Sequence, residues 1–184
     1  IDLKISKIEN DNEELKNENA KIISRNIQLE TKNNEIISQN AKLLARLEKL
    51  ENIEGKKLKN ILCFAREAKQ GQDNSWRIHN DTIIEGQQPD RAIVLFVKAS
   101  EDKLHGTAFW EHENYGHTYI ESDEEEFNRM LTEDANDKSK WKLNSIVGYK
   151  DNRLLSYPCN YFHSKYPNEY TDQRIVVVMF YKYI

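Results

Sequence analysis

The chain has 184 residues, 27 Lys and Arg against 31 Asp and Glu, and a net charge of −4. That acidic balance argues against a general polyanion-binding surface, duplex nucleic acid above all. The sequence shows no membrane-spanning or secretory stretch, and Cys63 and Cys159 are too few for a disulfide framework, so an intracellular setting is expected, with a virion or fibre component as the other option.

Residues 1–58 hold no aromatic residue, and their charges balance at 11 basic and 11 acidic; every Trp, Tyr and Phe lies beyond. Only the second part can build a globular core. In the first part Ile1, Ile8, Leu15, Ile22, Leu29, Ile36, Leu43 and Leu50 recur every seven residues, the pattern of a coiled-coil seam. The companion seam position reads Ile5, Asn12, Asn19, Asn26, Asn33, Asn40 and Leu47. An asparagine there must find a partner amide across the seam, which weakens the rod and enforces parallel alignment. The expectation is a long parallel α-helical coiled coil over residues 1–54, ended by Gly55, that makes a homo-oligomer, a dimer before a trimer.

Residues 55–74 read as a linker containing a short apolar helix from Leu58 to Ala68. Next comes Ser75 to Ile84, whose Trp76, Ile78, Ile83 and Ile84 suit a half-buried strand. His79 and Asp81, two apart, share one face of it. Facing solvent they are ordinary decoration; facing inward they need a partner or a metal, because an unpaired buried carboxylate costs several kcal/mol. Strand-like runs follow at 91–99, 106–112, 117–121, 141–149, 152–158 and 174–184, separated by turn residues such as Gly86, Gly116, Asp151 and Asn152. Between them, Ser122 and Glu125 have capping-box spacing, Phe127, Met130 and Leu131 share one helical face, and the acidic run from Asp123 suits a helix start. Seven or eight strands with one helical insertion predict an all-β sandwich or jelly roll over residues 75–184, with minor helices.

Further along, "YPCNYFHS" brings an apolar run up to His163, and Arg174 opens the last apolar strand eleven residues later. His79, Asp81 and His163 supply two imidazoles and a carboxylate, a set that can hold iron(II) on one face; an arginine entering an apolar strand needs an anion. The order His-x-Asp, distal His and a basic residue about ten positions on resembles the iron(II)- and 2-oxoglutarate-dependent dioxygenase superfamily, close to its prolyl-hydroxylase-like branches, over residues 70–184. The resemblance implies a double-stranded β-helix, Fe(II) held by His79, Asp81 and His163, and 2-oxoglutarate held by Arg174. It implies hydroxylation of a substrate C–H bond with O₂ as 2-oxoglutarate is converted to succinate. Many members place Ser two residues after the arginine, where Val176 stands here; Thr107 and Tyr157 are the candidates to share the cosubstrate carboxylate, and Trp110 the candidate substrate contact. His105, His112 and His117 match no usual structural zinc spacing, and Cys159 lacks an ordering third group for nucleophilic chemistry. The rival reading is a non-catalytic stalk and head that binds a protein or glycan.

Overall fold

A computed structural model describes residues 2–72, 74–98, 105–119, 123–169 and 173–184, with the side chains of 2–10 and 98 excepted. The chain divides into two compact units, Ile1–Lys56 and Lys57–Ile184. The first is one uninterrupted helix, α1 (Asp2–Glu54). It stops because Gly55 takes a left-handed φ of +66° and the Lys56 amide donates to the Glu51 carbonyl at 3.2 Å, a six-residue closure that caps an orphan carbonyl. Along it Leu15, Ile22, Leu29 and Ile36 are more than half exposed. No described helix is long and apolar enough to cross a membrane.

The second unit begins with β1 (Leu58–Ala68), where a helix is expected from sequence. The register of β1 against the last strand shifts between Asn60 and Leu62. That extra residue breaks the alternation, so Leu58, Ile61 and Leu62 fall at the three-and-four spacing of a helix while the backbone is extended. Pairing over most of eleven residues overrides local propensity.

The remaining strands are β2 (Arg91–Lys98), β3 (Gly106–His112), β4 (Trp141–Gly148), β5 (Leu154–Pro158), β6 (His163–Tyr166) and β7 (Arg174–Tyr183). One antiparallel sheet has the order β1-β7-β2-β5, the other β4-β3-β6. The expected strand at 75–84 is reduced to isolated bridges, His79 to His163 beside β6 and Ile84 to Gln87. From β4 onward successive strands alternate between the two sheets, an arrangement compatible with a jelly roll. The expected strand at 117–121 is likewise reduced to a bridge from Thr118 to Tyr161; residues 120–122, Ser122 among them, lie outside the described residues.

Two cores follow from strand alternation. Between the sheets lie Ala92, Val94, Phe96, Tyr157, Val176 and Phe180. Ala108 and Trp110, alternating with Thr107 and Phe109 on β3, pack instead with Ile78, Met130, Trp141 and Phe162. Met130 belongs to α2 (Glu124–Thr132), whose N-cap is Asp123, its carboxylate accepting from the Glu125 and Glu126 amides. The acidic first turn complements the helix dipole, and Phe127 and Met130 face the core.

Candidate metal centre

His79 and Asp81 sit on the extended segment that bridges to β6, and His163 is the first residue of β6. The backbones of the two histidines are tied reciprocally: the His79 amide donates to the His163 carbonyl at 3.1 Å, and the His163 amide to the His79 carbonyl at 2.8 Å. Their rings then lie side by side, with centroids 4.5 Å apart. Asp81, two residues on, turns its carboxylate to the same side. Its oxygens lie 3.6 Å from His79 Nε2 and 3.3 Å from His163 Nε2.

Hydrogen bonding fixes what these nitrogens can do. His79 Nδ1 lies 2.6 Å from the Arg77 carbonyl and His163 Nδ1 lies 3.0 Å from the Tyr161 carbonyl. A carbonyl only accepts, so each Nδ1 carries a proton, and in the neutral ring each Nε2 lone pair is turned toward Asp81. Two lone pairs facing a carboxylate repel unless a cation sits among them. The ligating atoms of the three residues all lie within 4.8 Å of one another, and this is the one such group of His, Cys, Asp or Glu among the described residues. Ligands at about 2.1 Å from a shared ion stand roughly 3 Å apart when adjacent, so the donor set fits a divalent metal.

Electrostatics agree. Burial disfavours a charged His163, but the charge of Asp81 and its hydrogen bond outweigh burial and raise the imidazole pKa. Desolvation, then the neighbouring His163, lowers that of His79, with Asp81 opposing. Burial pushes the Asp81 carboxyl up, yet His163 and His79 together bring it below its ordinary value.

These side chains open into a cavity of about 670 Å³, within the range of small-molecule sites. It is also lined by Arg174, Thr107 and Tyr157, the three residues expected to hold a carboxylate. The Arg174 guanidinium lies over the Tyr149 ring, 4.2 Å from its centroid. The Tyr157 ring packs 4.8 Å from that of His163, and its hydroxyl is held protonated, with a pKa well above the usual value, first by burial and then by Asp81. Tyr157 therefore enters the cavity as a neutral hydrogen-bond donor. Val176, in place of a hydroxyl residue, contributes only apolar wall.

Trp110, the expected substrate contact, stands apart from these residues. It is 1% exposed, lies outside this cavity, and donates its indole N–H to Ser164 Oγ at 2.9 Å. Its position on β3 alternates away from Thr107, so it packs in the core and borders a second, smaller cavity rather than this one. His112 is also structural: its Nε2 lies 3.3 Å from Asp134, and its ring stacks on Tyr115 and meets Trp141 edge-on. Several cavity residues were not among the sequence candidates, Lys165 and Arg66 among them. Lys165 follows His163 by two and so shares its face, a signal present in the alternation. Arg66 was hidden because its strand reads as a helix.

Fold and site define a class: an antiparallel β-sandwich domain with a two-histidine, one-carboxylate centre opening into an arginine-bearing cavity. Comparison with solved structures finds similarity to HygX of Streptomyces hygroscopicus with nickel and 2-oxoglutarate bound, at 10% identity and a TM-score of 0.46. The iron-bound HygX structure gives 10% identity and a TM-score of 0.42, and EvdMO1 gives 10% and 0.47. Each match covers 70% of this chain, but the chain spans only 57% and 59% of the two HygX chains and 28% of EvdMO1. No family model and no curated protein matches the sequence.

Proposed function

We propose that the β unit is an iron(II)- and 2-oxoglutarate-dependent oxygenase that hydroxylates a C–H bond of its substrate. One observation carries this reading: two Nε2 lone pairs and the Asp81 carboxylate converge in a cavity that Arg174 also enters. His79, Asp81 and His163 are the residues that would hold the ion. Arg174, with its planar fork of donors, would take the distal carboxylate of 2-oxoglutarate, with Thr107 and the protonated Tyr157 hydroxyl as further donors. The bound iron and cosubstrate supply the oxidising chemistry with O₂; this chain orients the cosubstrate, excludes water and places the substrate bond. A structural metal site would have no use for Arg174, and this favours the oxygenase over a non-catalytic head.

The seam of α1 supports a second part of the proposal, a parallel homo-oligomer. The seam residues Leu15, Ile22, Leu29 and Ile36 are 53–57% exposed in the single chain, and a second copy in register would cover them.

The test is succinate release from 2-oxoglutarate by protein loaded anaerobically with iron(II), then exposed to O₂. Wild type should turn over, even without substrate at a slow uncoupled rate, and His79→Ala and Arg174→Ala should not. Equal turnover in all three, or none in any with metal bound, overturns the oxygenase.

A further inference from the structure

The cavity carries more positive charge than that chemistry uses. Arg66, Lys69, Arg77, Lys165 and Arg174 line it against two acids, Glu67 and Asp81. Glu67 is already engaged by Lys69 at 3.2 Å. A divalent ion, the Asp81 carboxylate, a dianionic cosubstrate and the Arg174 guanidinium together come to neutrality. Arg66 therefore adds positive potential to a cavity set in an otherwise acidic protein, and such a field concentrates anions.

Arg66 is the most telling of the cations. On β1 it stands opposite Val176 of β7, one inward rung along from the Ala68–Arg174 pair, with Phe64 opposite Val178 on the next rung. All six line the cavity, so the inward row of β1 presents Phe64, Arg66 and Ala68. The charge of Arg66 reaches the imidazole of His79. The Arg66 side chain makes no hydrogen bond or ion pair among the described residues, and Phe64 is 40% exposed beside it. An edge strand that turns an unpartnered guanidinium and an open aromatic ring toward a metal centre is built as a recognition surface: the fork binds an oxyanion and the ring covers an apolar body.

We infer that Arg66 receives an oxyanion of the primary substrate, a phosphate or carboxylate joined to an apolar group that packs on Phe64, and so presents a C–H bond from the His79 side of the site. This rests on the oxygenase reading, and the experiment separates the two. The full chain is loaded with cobalt(II), in place of iron, and saturated with 2-oxoglutarate, whose own binding is measured first by calorimetry. Inorganic phosphate is then titrated and its ³¹P line broadening by the paramagnetic ion followed, with acetate added as competitor. Wild type should broaden the line saturably; Arg66→Gln should raise the apparent Kd about fivefold or more, and Arg66→Lys, which keeps the charge but loses the fork, should fall between the two. Affinity for 2-oxoglutarate should change by less than about twofold in either variant. Displacement by acetate extends the site to carboxylates, and its failure confines it to phosphates; both support the assignment. Absence of saturable broadening, equal Kd in wild type and Arg66→Gln, or a loss of 2-oxoglutarate affinity in Arg66→Gln overturns this inference alone. Failure of 2-oxoglutarate to bind wild type overturns the oxygenase and this inference with it.

Discussion

Replacing Asp81 by Asn leaves the shape of the centre almost unchanged and removes its only formal negative charge. The metal-free protein should tolerate this, since the variant also removes a buried carboxylate that needs compensation. The loss should appear when metal is added. An ion that binds the folded state alone stabilises it by about 2.7 kcal/mol at a hundred times its Kd. The β unit, Lys57–Ile184, spans about 128 residues, so its unfolding entropy near the midpoint is on the order of 0.27 kcal/mol/K and the expected rise in Tm is about 10 °C. All three tryptophans, Trp76, Trp110 and Trp141, lie in that unit, so their fluorescence follows its melting without interference from the helix. Nickel(II) serves as a redox-inert ion. Wild type should gain about 10 °C and Asp81→Asn less than about 2 °C. An equal gain in both would show that the metal binds elsewhere and would refute the convergence on which the site rests.

Trp110→Ala should cost about 3–5 kcal/mol, the usual range for a buried aromatic, and leave Ser164 without its donor; a variant that keeps its urea midpoint would return Trp110 to the surface. Gly106→Ala should unfold the β3–β4 pairing, because a Cβ there overlaps the Val147 carbonyl and lies 2.9 Å from its carbon, and a circular-dichroism melt within about 2 °C of wild type would contradict it. Burial, partly opposed by Asp134, lowers the pKa of His112 below its unfolded value. Its contribution is thus complete above about pH 6.5 and lost as the pH falls toward the folded value, so the stability gap between wild type and His112→Gln should narrow from pH 7.5 to 5; a constant gap would refute the assignment. Asn26→Leu should strengthen self-association of α1, read as a lower dissociation constant in sedimentation equilibrium, and an unchanged monomer in both forms would remove the seam.

The site was the most legible part of the sequence, because side chains two apart on extended backbone share a face and His79, Asp81 and His163 obey that rule even where the segment barely qualifies as a strand. Thr107, Tyr157 and Arg174 reach the same cavity for the same reason. Alternation misled wherever its phase was lost. The irregularity at Asn60–Leu62 disguised β1 as a helix and hid Arg66; on β3, the choice between Thr107 and Trp110 depends on which face meets the second sheet, a tertiary fact absent from a single strand. Asp123 caps α2 one residue beyond the Ser122 that the capping pattern suggested, within the ordinary uncertainty of a helix boundary.

The amides of His79 and His163 are each other's donors and acceptors. Neither can exchange its proton with solvent while the other stays closed, so the pair opens as one event. Deuterium uptake at these two positions should therefore show a single protection factor, and a bound ion clamping both rings would raise it for the two together, making a lone backbone latch the gauge of occupancy.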